Sequence, residues 1–189
     1  MWRHLQERED LHIVTYGCSA HLFNLLSKYV EVKAVKDNVL HIVKYFRNTQ
    51  MPAAWYKAAG GKALVMPQDE RWNTMADCLA SYLPNWPIIL QACEKHRGEI
   101  DKNIANKVKN IGIKRNAKYF LNRLKPISVA LDRVQSDTCV ISETVQIWKD
   151  PEKTFKENDQ PISILKHVKD RDNRAMTDSN FLPNLLDPR

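Results

Sequence analysis

Two Cys-x-x-His pairs, Cys18-Ser19-Ala20-His21 and Cys93-Glu94-Lys95-His96, carry the sulfur and nitrogen donors with which proteins hold a soft divalent metal. Together they would fill a tetrahedral zinc site, but 71 residues separate His21 from Cys93, far from a finger spacing. The alternative is structural: Cys18 a small buried residue at a strand-to-helix turn, His21 a polar group in the first turn of a helix, Cys93 a core thiol. A second element, Arg71-Trp72-Asn73-Thr74, sets a cation beside a large aromatic near the start of a helix, where Trp72 packs in the core or meets a ligand.

The third element is charge. Between Lys95 and Lys125 stand ten cations (Lys95, Arg97, Lys102, Lys107, Lys109, Lys114, Arg115, Lys118, Arg123 and Lys125) against Glu99 and Asp101. That local excess of +8 accounts for the +7 of the whole chain, whose other residues nearly cancel. Lys107, Lys114, Lys118 and Lys125 step by seven, four and seven, and share one face if a single helix runs through Gly112. Cations so arrayed suit a nucleic-acid backbone, since each Lys or Arg that neutralises a phosphate releases condensed counterions. The plainer reading is a solvated face that keeps a helical protein soluble. Only Tyr119 and Phe120 lie inside the stretch, so stacking on single strands is not suggested.

Other chemistries lack their signatures. No nucleophile elbow, HExxH, glycine-rich phosphate loop or CxxC occurs, and Gly60-Gly61 has no following Lys-Ser/Thr. Paired carboxylates for acid-base work cannot be singled out from 22 scattered acids. Four cysteines in 189 residues are too sparse for a disulfide scaffold and read as thiols of a reducing compartment. The first ten residues are charged, and no run of eighteen apolar residues appears, so the expectation is a soluble intracellular chain without a membrane.

The elements that would carry these residues are mostly helical. Hydrophobic residues at 43% suffice for a core, and five glycines are few for an all-β fold. A polar lead-in (1–10) and a short β-like run (11–16) precede a helix from Ser19, with Ser19 as N-cap. Val32, Val35, Val39, Ile42, Val43 and Phe46 predict a second helix; Ala53 to Ala59 predicts a third, closed by Gly60-Gly61. Gln68 to Leu83 predicts a helix that Pro84 and Pro87 break, restarting from Ile88 to His96. Ile100, Ile104, Val108 and Ile111 make a stripe ending at Gly112, and helices follow over Asn116 to Val134 and Thr138 to Trp148. The resulting domain covers 11–149; 150–178 reads as a polar, partly mobile linker with one short helix, and 179–189 as an apolar end segment.

Several islands in this order resemble one family: Tyr16-Gly17-Cys18-Ser19-Ala20-His21-Leu22-Phe23-Asn24-Leu25-Leu26, Lys44-Tyr45-Phe46-Arg47-Asn48, Arg71-Trp72-Asn73-Thr74, Leu124-Lys125-Pro126-Ile127 and Leu185-Leu186-Asp187-Pro188-Arg189. They look like the middle of a hAT-superfamily transposase, or of a host protein derived from one, over roughly 11 to 189. The resemblance implies an RNase H-like catalytic domain interrupted by a long helical insertion, this chain being a helical bundle that corresponds to the insertion, with at most one or two short strands, truncated at both ends. In that family two aspartates and a glutamate bind Mg²⁺. They fall outside the matched span, so no catalytic residue and no cofactor is expected here. Cys18 and His21 match the family's Cys-x-x-His near the active site. Arg71 and Trp72 match the pair whose tryptophan helps hold a flipped base. Glu70 stands where Thr or Ser commonly precedes that pair, and Tyr29 where an Asp is common; a carboxylate beside Arg71 would compete with phosphate for its guanidinium.

The expected function is therefore that of a transposase-derived, catalytically inactive chain in the nucleus. It would bind DNA backbone through 95–125, with Arg71, Trp72, Lys107, Lys114, Lys118 and Lys125 in contact. The alternative is a helical module that binds a protein partner or itself through Leu25, Leu26 and the Leu182 to Leu186 segment, or a decayed gene remnant without DNA binding.

Overall fold

The computed structural model describes residues 18–68, 74–158 and 160–175. No strand occurs among them, and the chain is mainly helical, as the composition predicts. The helices are α1 (Ser19–Val30), α2 (Lys33–Asn48), α3 (Gln50–Ala58), α4 (Thr74–Lys95), α5 (Lys102–Lys109), α6 (Ile111–Val134), α7 (Ile141–Glu157) and α8 (Ile162–Ala175). They form two compact units: a central one, Val30–Lys125, and one made of Met1–Tyr29 with Pro126–Arg189, here the outer unit from its place in the sequence. The lead-in at 1–10, the β-like run, Arg71, Trp72 and the end segment 179–189 lie outside the described residues.

In the central unit α2 is the hub, packing on α3, α4 and α5. Its buried residues Val35, Val39, Ile42, Val43 and Phe46 follow the three- and four-residue steps that the sequence displays, so one apolar stripe turns inward. Thr49, in extended backbone, both ends α2 and starts α3. Pro52 precedes the Ala53 to Ala59 stretch read as the third helix. It lies instead in the first turn of α3, where its missing N–H costs nothing because those donors have no intrahelical partner.

The chain leaves α3 through Gly60, whose φ of +85° a side chain would strain, and Gly61, over which the ring of Tyr56 lies. A Cβ on Gly61 would sit 2.3 Å from that ring, so only glycine fits. Residues 61–68 then run without regular structure and are laced to α4. The Lys62 N–H donates to Asn85 Oδ1 (3.0 Å), Val65 N–H to Ser81 Oγ (2.9 Å) and Gln68 N–H to Thr74 Oγ1 (2.9 Å). Residues 74, 81 and 85 share one face of α4 at steps of seven and four, so the helix supplies the acceptors that this segment lacks.

α4 corrects the expected break at Pro84 and Pro87: it is one helix through both. Each proline removes one backbone bond, yet both are exposed, and the carbonyls they release, Ala80 and Leu83, are not buried. Water can take those bonds, while Leu79, Tyr82, Ile89 and Cys93 stay buried on the other side. The stripe of Ile100, Ile104 and Val108 is also interrupted earlier than expected. α5 stops at Asn110, whose Oδ1 accepts from Gly112 N–H (2.9 Å) and so starts α6; Gly112 lies inside α6, and Ile111 is exposed. Asp101 caps α5 in the same way, accepting from Ile104 N–H at 3.0 Å.

In the outer unit α1 begins at Ser19 rather than after it, and Cys18 occupies the position before the helix. The Ser19 hydroxyl accepts instead from Trp148 Nε1 (3.1 Å), and Phe23 stacks on the Trp148 ring at 3.8 Å and 16°. The stretch read as a polar linker with one short helix holds the end of α7 and the whole of α8; the two helices pack on each other, and Phe155, Ile164 and Val168 are buried. Leu26, expected on an exposed apolar edge, is fully buried.

Candidate nucleic-acid interface

Charge divides unevenly between the units. The central unit carries 17 Lys and Arg against 8 Asp and Glu, a formal +9, whereas the outer unit carries 12 against 14, a formal −2. The basic character of the chain thus belongs wholly to Val30–Lys125, and within it to α5 and the first half of α6.

Asn110 splits the four lysines expected on one face. Lys107 lies on α5, and Lys114, Lys118 and Lys125 on α6. The two nearest the break are engaged. Lys107 Nζ lies 2.8 Å from His41 Nδ1, and Lys114 Nζ sits 4.0 Å over the ring of Trp86, a cation-π contact. Trp86 is itself held by its indole N–H on the Val108 carbonyl (3.1 Å). Lys118 and Lys125 are exposed and, with exposed Arg115 and Asn122, follow the helical steps of three, four and three. That row is about 15 Å long at ~1.5 Å per residue. Among the described residues no carboxylate is ion-paired with Lys102, Lys109, Arg115, Lys118 or Lys125. Their charge is therefore available to an external anion.

Of the two Cys-x-x-His pairs, Cys18 and His21 belong to the outer unit and Cys93 and His96 to the central one. No group of three or more His, Cys, Asp and Glu suited to a metal ion exists among the described residues. Cys18 is exposed, contrary to the expected buried position, and His21 is exposed in the first turn of α1. Cys93 is buried on α4, and His96 stacks on Trp55 at 4.1 Å with its Nδ1 3.2 Å from Glu99. Burial pushes the Cys93 thiol up to about 11, Lys109 opposing and Glu94 reinforcing, and the Cys78 thiol up to about 12. At pH 8 Cys93 and Cys78 are then almost wholly protonated and shielded, so a thiol reagent is expected to modify Cys18 in the native protein and Cys78 and Cys93 only after unfolding. Mass-spectrometric mapping of labelled cysteines checks this; native labelling of Cys93 at the rate of Cys18 would contradict it.

His41 and Trp86 went unnoticed in the sequence. His41 stands between the core positions Val39 and Ile42 and reads as one more solvent residue, while Trp86 lies between two prolines that suggested a break. Their partners are 66 and 28 residues away, beyond any local pattern. No protein-family model, curated protein or solved structure matches the chain. No helix of the described residues is long and apolar enough to cross a membrane.

Proposed function

We propose that the chain binds the phosphate backbone of nucleic acid, without reading sequence, through the basic face of its central unit. The observation that carries this is the confinement of a +9 excess to that unit, with Arg115, Lys118 and Lys125 exposed along one side of α6 and unpaired with carboxylates among the described residues. The resemblance to hAT-superfamily transposases supports the same ligand and a nuclear setting. It would add Arg71 and Trp72 as the pair that holds a flipped base, and it assigns these 189 residues binding rather than strand transfer, because the family's acidic triad has no counterpart among them.

Affinity for a duplex of arbitrary sequence tests the proposal. If three cations each neutralise a phosphate, log K falls against log[salt] with a slope of about −2.7 from those three alone, at ~0.9 per contact. Replacing Arg115, Lys118 and Lys125 together by Gln is expected to flatten the slope by that amount. Helix content should be unchanged, since the propensities are similar. An unchanged slope in the triple variant, or no salt-dependent binding by the wild type at low ionic strength, would overturn the reading. In the latter case the protein-interaction module takes the lead, for which the exposed Ile111 and Tyr119 of the central unit would be contact residues.

A further inference from the structure

The contact between Lys107 and His41 joins two elements and two bases. An ammonium group has three N–H donors and no lone pair, so the 2.8 Å approach of Nζ to Nδ1 makes Lys107 the donor and His41 Nδ1 the acceptor. His41 in this arrangement is the neutral imidazole with its proton on Nε2. Protonating Nδ1 would set two donors of like charge against each other, an arrangement stable only if an anion enters between them.

The surroundings supply none. On α2 Asp37 stands one turn before His41, and Lys44 and Tyr45 one turn after, yet no ion pair joins Asp37 to the ring. On α5 the Asp101 carboxylate is occupied in capping Ile104, and the Asp101 backbone N–H donates to the Tyr45 hydroxyl (3.1 Å). α3 and α4 also pack against α2, whose buried residues are Val39, Ile42, Val43 and Phe46, while His41 is exposed. Lys57 of α3 and Asp77, Glu94 and Lys95 of α4 make no bond or ion pair with the imidazole among the described residues. His41 and Lys44 are exposed on α2 and half-buried Lys107 meets His41, so this corner is positively biased.

We infer that His41 and Lys107 form a proton-linked seat for a phosphate oxygen, so that the central unit takes up a proton when it binds a phosphate group. With the ring protonated, Nδ1–H and Nζ–H both donate to one oxyanion, and the lysine proton formerly given to His41 turns to the ligand. No covalent bond changes; one proton moves from solvent to His41 Nδ1. The second donor exists only when the ring carries that proton, so acid completes the seat and alkali removes its second donor. This deepens the backbone-binding reading and rests on it for the identity of the ligand, nucleic-acid phosphate.

Two measurements separate the seat from that reading. The first is affinity for a duplex at pH 8 and pH 6 at one fixed salt concentration. The wild type is expected to bind about tenfold more tightly at pH 6, the gain of one linked proton whose affinity rises about tenfold on binding. His41→Gln and Lys107→Gln should each lose most of that gain, whatever their affinity at pH 8. Equal pH dependence in wild type and His41→Gln overturns the seat and leaves backbone binding standing. The second measurement is the pH titration of the His41 ring signal by NMR, identified by its absence in His41→Gln, in inorganic phosphate and in chloride at equal ionic strength. An upward move of the midpoint in phosphate supports the seat even if the duplex does not bind, which then points to free phosphate as the source. A midpoint indifferent to phosphate, with no duplex binding, overturns both.

Discussion

Replacing Trp148 by alanine is expected to lower stability by about 3–5 kcal/mol, within the range for removing a buried large aromatic. Trp148 on α7 has no exposed surface and lies flat on Phe23 of α1, also fully buried, so the substitution opens a cavity at the point where α1 meets α7 in the outer unit. The stacked pair itself contributes roughly 0.5–1.5 kcal/mol beyond its buried area. Its bond to Ser19 is the smaller part, because the Ser19 hydroxyl is half-buried and can turn to water once the indole is gone. Ser19→Ala is accordingly expected to cost only ~1 kcal/mol, and Trp148→Phe to fall between the two. Urea denaturation followed by circular dichroism at 222 nm reads all three. A loss below 1 kcal/mol in Trp148→Ala would show that α1 does not depend on this contact.

Asn85→Ala comes next in size, at about 2–3 kcal/mol, combining a lost pair of hydrogen bonds with an unfilled buried site. Asn85 is 3% exposed, its Oδ1 accepting from Lys62 N–H (3.0 Å) and its Nδ2 donating to the Ser81 carbonyl (2.8 Å). Of the three acceptors that lace 61–68 to α4 it is the buried one, and Ser81→Ala, which frees the N–H of exposed Val65, is expected to cost under ~1 kcal/mol. Asn85→Asp distinguishes acceptor from donor. A carboxylate keeps the bond from Lys62 but faces the Ser81 carbonyl with no proton to give. The buried acid would hold its proton to higher pH than the unfolded chain does, so the folded state binds more protons and stability falls as pH rises. Asn85→Asp is therefore expected to be less stable at pH 7 than at pH 4 relative to the wild type. Equal urea midpoints for wild type and Asn85→Ala would remove Asn85 from this role.

Helix positions with a one-sided apolar stripe were legible from residue order, because a period near 3.6 is a local property: Val35 to Phe46 turned inward as the pattern required, and the helical class followed. So was the existence of a basic stretch, which is a matter of counting. The prolines were misleading for a physical reason. A proline ends a helix only when the carbonyl it releases has no other partner, and exposure at Ala80 and Leu83 is a tertiary fact. For 150–178 scattered charges suggested a partly mobile linker with one short helix; within its described part, two helices pack together and Phe155, Ile164 and Val168 are buried, which their local charge-rich surroundings do not reveal.

Side-chain partners were out of reach in the sequence. Residue types announced that Lys107 and Lys114 are cations, but their engagement by His41 and Trp86, and the freedom left to Arg115, Lys118 and Lys125, depend on where α5 stops and how α2, α4 and α6 pass it. Asn110 rather than Gly112 sets that stop, since a side-chain acceptor for the next helix's N–H decides a boundary better than glycine's low propensity does. Composition and periodicity thus settled which residues are apolar, which are charged and which faces are helical, because those are properties of neighbours along the chain. Which cations already touch a side chain of the protein and which face solvent alone was settled only by packing, because a side chain's partners are what lies within a few ångströms of it in space.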